Sequence, residues 1–437
     1  VSWLGFVPCT ARCCTARGRR LDSGQAQNLW ETSSLGWWDF QKRRMQTIWL
    51  ANRIYDRTKK ALKGYEALEE AGNVADAEAM WERVNASNAK EMREHAEYAK
   101  GLFIKATQQM STMSGVLPDI YCDEFIKTTE HLPVSSPAEV FRVIEEDLCR
   151  SPTSIFDAFD RAPVASASIG QVHKARLRGS GELVAVKVEH DGVDRVFMED
   201  LGTLAMVAEQ VAYWAPGIDL RRAVEEWQES VPRELNFRDE MAALMRAHTT
   251  LRKFQSPVRV PIPREHISNQ KVLVMDFVEA VPIVNLASKE FCRKHKLNKI
   301  RIMRELMNAF GLLTFRDGLI HGDPHAGNIR ILLDPRAPGG AAPVVFDWGM
   351  TRMLTNDERM SLAKVFHSLA NMDVPGIFDA LYFLGFRLNS DLVTDDLQEE
   401  MVNRLRAVMK DTVSKSQTRA QTRAGMKEAK QRAKTSG

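Results

Sequence analysis

Lys187, Asp323, Asn328 and Asp347 are the residues whose types and spacing could do chemistry. Asp323 and Asn328 lie in "HGDPHAGNIRILL" (321–333), and Asp347 opens "DWG" (347–349). An amide oxygen beside a carboxylate makes a hard, all-oxygen site suited to Mg2+ carrying nucleotide phosphates. Asp323, in a loop before Asn328, would project into the same space and could accept or orient a hydroxyl or water proton. The same stretch has two other readings, a metallohydrolase site using His321, Asp323 and His325, or an ordinary buried turn. Two His at i and i+4 share a face only in a helix, and Gly322 and Pro324 oppose one. With no third His or carboxylate cluster downstream, both His are assigned to holding loop backbone.

Such side chains need strands to set them. "QVHKARL" (171–177), a turn through Gly179 and Gly181, and "LVAVKVE" (183–189) alternate with period two and predict a β-hairpin. Alternation puts Val184, Val186 and Val188 on one face and Ala185 with Lys187 on the other. Ile329–Leu333 and Val344–Phe346, joined by "DPRAPGG", predict a second antiparallel hairpin. Its open end would bring Asn328 and Asp347 side by side. "KVLVMDF" (271–277) reads as a further apolar strand. Helix is expected from Trp49 to Glu130 with breaks at Gly72-Asn73 and Gly115–Pro118, over 195–253, from Leu297 to Phe315, and after Gly349 to about Met409. Ser136-Pro137-Ala138-Glu139 has the form of a capping box.

Phosphoryl transfer needs metal ions, a Lys on the phosphates and a positioned base rather than covalent help. Protein-kinase sequences supply these as H-R-D-x-x-x-x-N, D-F-G and a strand Lys. Here the counterparts are His321-Gly322-Asp323 with Asn328, Asp347-Trp348-Gly349, and Lys187 in Val184-Ala185-Val186-Lys187. Each motif alone is weak. Four in one order, on the expected strand and hairpin contexts, read as a kinase-like nucleotide site.

The 437 residues, 44% hydrophobic and 27% charged, suit a globular protein of two or three packed units. A formal charge of +3 is too small to argue for a nucleic-acid partner. Six scattered Cys show neither zinc-site spacing nor a disulfide framework. No apolar run is long enough to span a bilayer. Residues 1–20 carry Arg12, Arg17, Arg19 and Arg20 without an acid, which fits an organelle transit segment and a truncated start equally. Residues 410–437 carry eight Lys or Arg against Asp411 and Glu428, an exposed basic helix or tail open to a membrane surface.

"VASASIGQVHKARL", "VAVKV", "RELNFRDE", "VLVMDFVE", "HGDPHAGNI" and "FDWGM" together resemble the UbiB family of atypical kinases, also called aarF-domain-containing kinases. The resemblance runs from about Leu102 to Leu384. It implies a two-lobed, protein-kinase-like α+β fold with an N-terminal helical extension over the cleft. The expected layout is a basic leader (1–45), helical extension (46–160), N-lobe (161–280), C-lobe (281–410) and basic tail (411–437).

In that family's terms, Lys187 would hold phosphates, Asn328 and Asp347 the metal, and Asp323 the base position. Ala165, Ser166, Ala167 and Ser168 stand where a protein kinase carries its Gly-rich loop. Side chains there crowd the backbone approach to phosphate, which implies altered nucleotide preference and restrained transfer. Met275, Asp276 and Val278 would meet adenine within the segment Met275–Glu279. "GLFIKATQQMS" (101–111) resembles the family's Lys-x-Gly-Gln helix, with Lys105 and Gln108 matching and Thr107 replacing Gly. Glu234 and Glu240 are both candidates to pair with Lys187 or hold Lys105, and Asn236 would remove a negative charge from that network. Trp348 replaces Phe and should keep its packing role.

The implied cofactors are ATP or ADP with Mg2+. The implied activity is Mg-dependent ATPase or small-molecule phosphotransfer tied to isoprenoid quinone or lipid metabolism, with a lipid or quinone precursor as partner, in mitochondria or plastids. One alternative is a nucleotide-sensing, non-catalytic scaffold of a biosynthetic complex. The other is a protein Ser/Thr kinase, opposed by Lys105, Gln108, the Ala-rich loop and the absence of an Ala-Pro-Glu segment after Asp347.

Overall fold

The computed structural model describes residues 35–111, 117–130, 134–214 and 220–385. The expected basic tail, nearly all of the leader, the Gly115 break and the helix beyond residue 385 lie outside them. Among the described residues no helix is long and apolar enough to cross a membrane.

Two long helices, α1 (Trp37–Glu70) and α2 (Val74–Ala99), open the chain as a hairpin. It turns at Gly72, whose φ of +78° favours glycine. Helix therefore starts at Trp37, inside the segment expected to be leader. A second redirection, not foreseen, comes at Lys100 (φ 59°) and Gly101 (φ 53°), after which α3 (Gly101–Ser111) runs on. Next come α4 (Asp119–Phe125) and a 3-10 turn (Ile126–Glu130). The capping box at Ser136 forms: Ser136 N–H donates to Glu139 Oε2 at 2.8 Å, and Glu139 N–H to Ser136 Oγ at 3.3 Å. It starts α5 (Pro137–Leu148), followed by the single turn α6 (Pro152–Ile155).

The N-lobe sheet comprises β1 (Phe156–Phe159), β2 (Ala165–Ser166), β3 (Gly170–Leu177), β4 (Leu183–Glu189) and β5 (Val272–Asp276). Its order is β1-β3-β4-β5, antiparallel throughout, with β2 paired to β3. The sheet thus begins at Phe156, within the segment expected to be wholly helical. Val184, Val186 and Val188 pack in one core with Val140, Val143 and Ile144 of α5, while Ala185 belongs to the core on the other face. Alternation therefore delivers Lys187 to the side opposite α5. Helices α7 (Val193–Trp214), α8 (Arg221–Glu234) and α9 (Phe237–Lys253) lie between β4 and β5. Arg43 fastens the helical extension to this unit, donating through Nη2 to Asp200 Oδ2 at 2.5 Å and through Nη1 to Ala99 O at 2.7 Å.

The C-lobe contains β6 (Val281–Pro282), α10 (Lys289–Lys294), α11 (Lys299–Gly311) with a π-helical turn (Leu312–Asp317), β7 (Leu319–His321), β8 (Ile329–Leu333), β9 (Ala341–Val345), β10 (Thr351–Met353), α12 (Asn356–Asn371) and α13 (Val374–Phe383). β8 and β9 form the expected hairpin, β6 extends it, and β7 pairs with β10. The result is a two-lobed α+β fold.

Glu189, ending β4, is 2% exposed, and neither carboxylate oxygen has a hydrogen-bond partner among the described residues. Burial pushes its pKa up to about 8, with Lys271 opposing and Asp194, Asp147 and Asp191 adding to the rise. An unfolded Glu ionises near about 4.3. The stability this group contributes is therefore full below that pH and is lost as pH rises through the folded value. Urea unfolding of the wild type should weaken between pH 5 and pH 8.5, and Glu189→Gln should flatten that fall, gaining on the order of 2 kcal/mol at the upper pH. Identical pH slopes in the two proteins would exclude Glu189 as the source.

Candidate nucleotide site

A buried ammonium is tolerated only where carboxylates surround it, and Lys187 meets two. It sits mid-strand on β4, opposite Val172 of β3 and Leu273 of β5. Its Nζ donates to Glu240 Oε2 at 2.7 Å and lies 3.7 Å from Asp347 Oδ1. Glu240 is presented by the first turn of α9, whose N-cap is Asn236. Its second oxygen accepts the Trp348 N–H at 3.3 Å, so one carboxylate ties the strand Lys to the "DWG" turn. Burial opposes charge on Lys187, yet Asp347 and Glu240 together hold its pKa above the ordinary lysine value. Burial would likewise raise the Asp347 carboxyl, but Lys187 and the Gly349 N–H, 3.0 Å from Oδ1, hold it below the usual range. Trp348 fills the buried place expected of it, 1% exposed, its Nε1–H donating to Val345 O at 3.1 Å.

His321 secures the loop to that turn. Its Nδ1 accepts the Asp323 N–H at 3.1 Å, which a backbone amide can only donate. The imidazole is neutral, burial lowering its pKa. The proton must therefore sit on Nε2, which donates to Asp347 O at 2.6 Å. The β7–β10 pair repeats the tie through Gly322 N–H to Met350 O at 2.7 Å. A Cβ at Gly322 would stand 3.0 Å from that carbonyl. His325 accepts the Gly327 N–H at 3.0 Å and faces Asp323 at 3.5 Å.

The β8–β9 register differs by one residue from the expected juxtaposition. Ile329 faces Val345, and Phe346 N–H donates to Asn328 O at 3.0 Å. Phe346 is therefore the residue across from Asn328, and Asp347 is the first residue beyond the ladder. Asn328 Nδ2 donates to Asp323 O at 3.3 Å, leaving the amide oxygen as its ligand end. Among the described residues no three His, Cys, Asp or Glu gather as a metal cage. An Asn oxygen plus one carboxylate fits Mg2+, which keeps waters and substrate phosphates in its shell, and does not fit a dedicated all-protein metal site.

Of the two Glu, Glu240 pairs with Lys187 and Glu234 forms a half-buried ion pair with Lys105. Glu234 also acts electrostatically on Lys187, so the helical extension adjoins the same charge cluster. Thr107 is buried and satisfied, donating to Ile104 O at 2.8 Å and contacting Thr128 Oγ1 at 3.1 Å. Gln108 lies half-buried on α3. Asn236, expected to remove a negative charge from that network, also has a local role. Its side chain accepts the Arg238 N–H and donates to Asp239, each at 3.3 Å, so it acts as a helix cap, which Asn serves as well as Asp.

Ala165 and Ser166 form β2 against Val172 and Gln171, and Ala167 N–H donates to Gly170 O at 2.8 Å. A Cβ at Gly170 would fall 2.5 Å from Val188 O, so only glycine lets the loop lie so close to β4. His190, whose pKa burial lowers to about 4, bonds Ala167 O through Nε2 at 3.2 Å and Ser135 Oγ through Nδ1 at 2.7 Å. Ser135 and His190 carry no motif, and sequence reasoning missed them. Met275 is buried in β5, and the Asp276 carboxylate is turned onto Arg264 at 2.7 Å and the Ile262 N–H at 3.2 Å. Val278 is half-buried beside it.

A strand Lys paired to a helix Glu, facing an Asp-x-Gly turn and an Asp…Asn loop, is the arrangement of a kinase-like nucleotide fold. The ABC1 atypical kinase-like domain matches residues 127–381, more than half of the sequence. The chain belongs to that family. It is 31% identical over 278 residues to AarF domain-containing kinase 1 of Drosophila melanogaster, covering 63% of this chain and 52% of that one. It is 30% identical over 295 residues to AarF domain-containing protein kinase 1 of Mus musculus, covering 68% and 55%. Protein ACTIVITY OF BC1 COMPLEX KINASE 7, chloroplastic, of Arabidopsis thaliana is 30% identical over 64% of this chain and 39% of its own length. The chain thus spans about half the length of the curated relatives it matches. Among solved structures, the Rv3197–erythromycin complex from Mycobacterium tuberculosis aligns at TM-score 0.50 and 26% identity over 78% of this chain and 86% of that one.

Removing the shared carboxylate tests the cluster. Glu240→Gln should cost about 3 kcal/mol of stability, because it leaves Lys187 buried with Asp347 alone. Chemical denaturation at neutral pH measures it, and a loss under about 0.5 kcal/mol, the level of an ordinary surface change, would refute the pairing as a structural anchor.

Proposed function

We propose that the chain binds Mg-ATP and acts as a slow ATPase or small-molecule phosphotransferase. The observation that carries this reading is Lys187 held between Glu240 and Asp347, with Asp323 and Asn328 roped to the same turn. Lys187 would receive phosphate oxygens, Asn328 and Asp347 would hold the metal, and Asp323 would orient the attacking hydroxyl or water. When bound, Mg2+ supplies charge neutralisation on the phosphates. Met275, Asp276 and Val278 would border the adenine. Val278 supports this, since its backbone groups make no hydrogen bond among the described residues. Ala165, Ser166, Ala167 and Ser168 would close over the phosphates, and the His190 tie on Ala167 supports restrained turnover.

Lys105, Gln108 and Glu234 would act as regulatory cover. The Lys105–Glu234 pair beside Lys187 supports a small acceptor over a protein substrate. A lipid or isoprenoid quinone precursor in a mitochondrion or plastid is the proposed setting, supported by the chloroplastic designation of the Arabidopsis relative.

Calorimetric Mg-ATP binding and phosphate release, measured on wild type and Asp347→Asn, test the proposal. Wild type should bind and turn over, and the variant should lose at least about a hundredfold in turnover while remaining folded. Absence of Mg-ATP binding in folded wild type sinks the reading. Binding without turnover in wild type transfers the assignment to a nucleotide-sensing scaffold.

A further inference from the structure

Between Lys289 and Arg304 the sequence carries seven Lys or Arg and one acid, Glu290. That segment is net +6 in a chain of net +3, so the remainder is net −3. All seven basic residues are exposed. Among the described residues only Arg301 is ion-paired, to Glu305 at 3.9 Å. The segment folds as α10, a turn through Lys296 at φ 53°, and α11. The turn is buttressed by the β8–β9 connection, where a Cβ at Gly339 would meet Asn298 O at 3.0 Å. The charges are therefore presented on a fixed corner of the C-lobe.

One face of α11 is anchored, with Ile302, Leu306 and Ala309 buried in the main core. The opposite face carries Ile300 at 72% exposure, Met303 at 36% and Met307 at 63%. At 100° per residue these three fall within one 60° sector, with Lys299 on one flank and Arg304 and Arg301 on the other. A solvated charged face has no use for a central apolar stripe. A nucleic acid would leave that stripe against phosphate, and the aromatic rings of α10 and α11, Phe291 and Phe310, are half-buried and not laid open for stacking. A bilayer interface takes both parts at once: the stripe enters the headgroup boundary, and the flanking bases meet anionic headgroups.

We propose that the outer face of α11, with the α10–α11 turn, is a docking surface for an anionic lipid bilayer. This rests on charge and exposure alone and stands whether or not the cleft binds nucleotide.

The test is cosedimentation of the full chain with phosphatidylcholine vesicles, with and without phosphatidylglycerol. Wild type should bind only the anionic vesicles, with affinity falling as salt is raised. The neutralised variant Lys299→Gln/Arg301→Gln/Arg304→Gln should bind on the order of a hundredfold more weakly. The uncharged-face variant Ile300→Ser/Met303→Ser/Met307→Ser should lose about tenfold with its charge intact. Thermal melts confirm the fold, and the single change Arg304→Glu supplies a milder variant if a triple one fails to fold. The proposal is overturned if wild type ignores anionic vesicles, if the surface variants bind them as wild type does, or if charge but not apolar substitution matters and duplex DNA competes.

Discussion

The ammonium of Lys187 is the constraint on which the rest depends. A buried, unpaired charge costs several kcal/mol, so the strand that carries it is stable only if carboxylates arrive from elsewhere. They come from separate places: Glu240 from the start of α9 and Asp347 from just beyond β9. Any register slip in β4 would turn Lys187 into the apolar core shared with α5 and expose a Val in its place. Any drift of α9 would leave the charge unmatched. The lobes are thus coupled through one cation, and Glu240, bonded to both Lys187 and the Trp348 amide, is where that coupling is tightest.

Two neutral histidines hold loops on either side of the cluster by the same device. His321 accepts from the Asp323 amide and donates to the Asp347 carbonyl. His190 spans Ser135 and the Ala167 carbonyl. In each case burial lowers the pKa, which keeps one ring nitrogen an acceptor. A protonated His321 ring would have two donors and lose the Asp323 amide, so a neutral imidazole is what allows that tie.

Lys187, Asp323, Asn328 and Asp347 were legible because strand alternation and turn chemistry are local. The β3–β4 and β8–β9 hairpins, the capping box at Ser136 and the break at Gly72 follow for the same reason. The one-residue offset that places Phe346 across from Asn328 was not legible, since it depends on where the ladder ends. β1, β2, β7 and β10 are two to four residues long, too short for a periodic pattern to announce them, and β7 pairs with β10 across some thirty residues. The partition of Glu234 to Lys105 and Glu240 to Lys187 is equally non-local. The cap that Asn236 makes sits just before a helix, a place the motif reading did not use.

The pairing of charges also bears on what the cleft can accept. Lys105 and Glu234 neutralise each other, so that pair adds no net charge beside Lys187. Lys187 faces Glu240 and Asp347, which leaves that inner group one negative charge in excess, with Asp347 held ionised. A bare polyphosphate approaching such a site would meet repulsion from Asp347 and compete with Glu240 for the one ammonium. A divalent cation held by Asp347 and Asn328 would offset that repulsion, and Lys187 would then face phosphate oxygen. On the proposed reading, this charge arrangement would favour a metal-bound nucleotide over a free one.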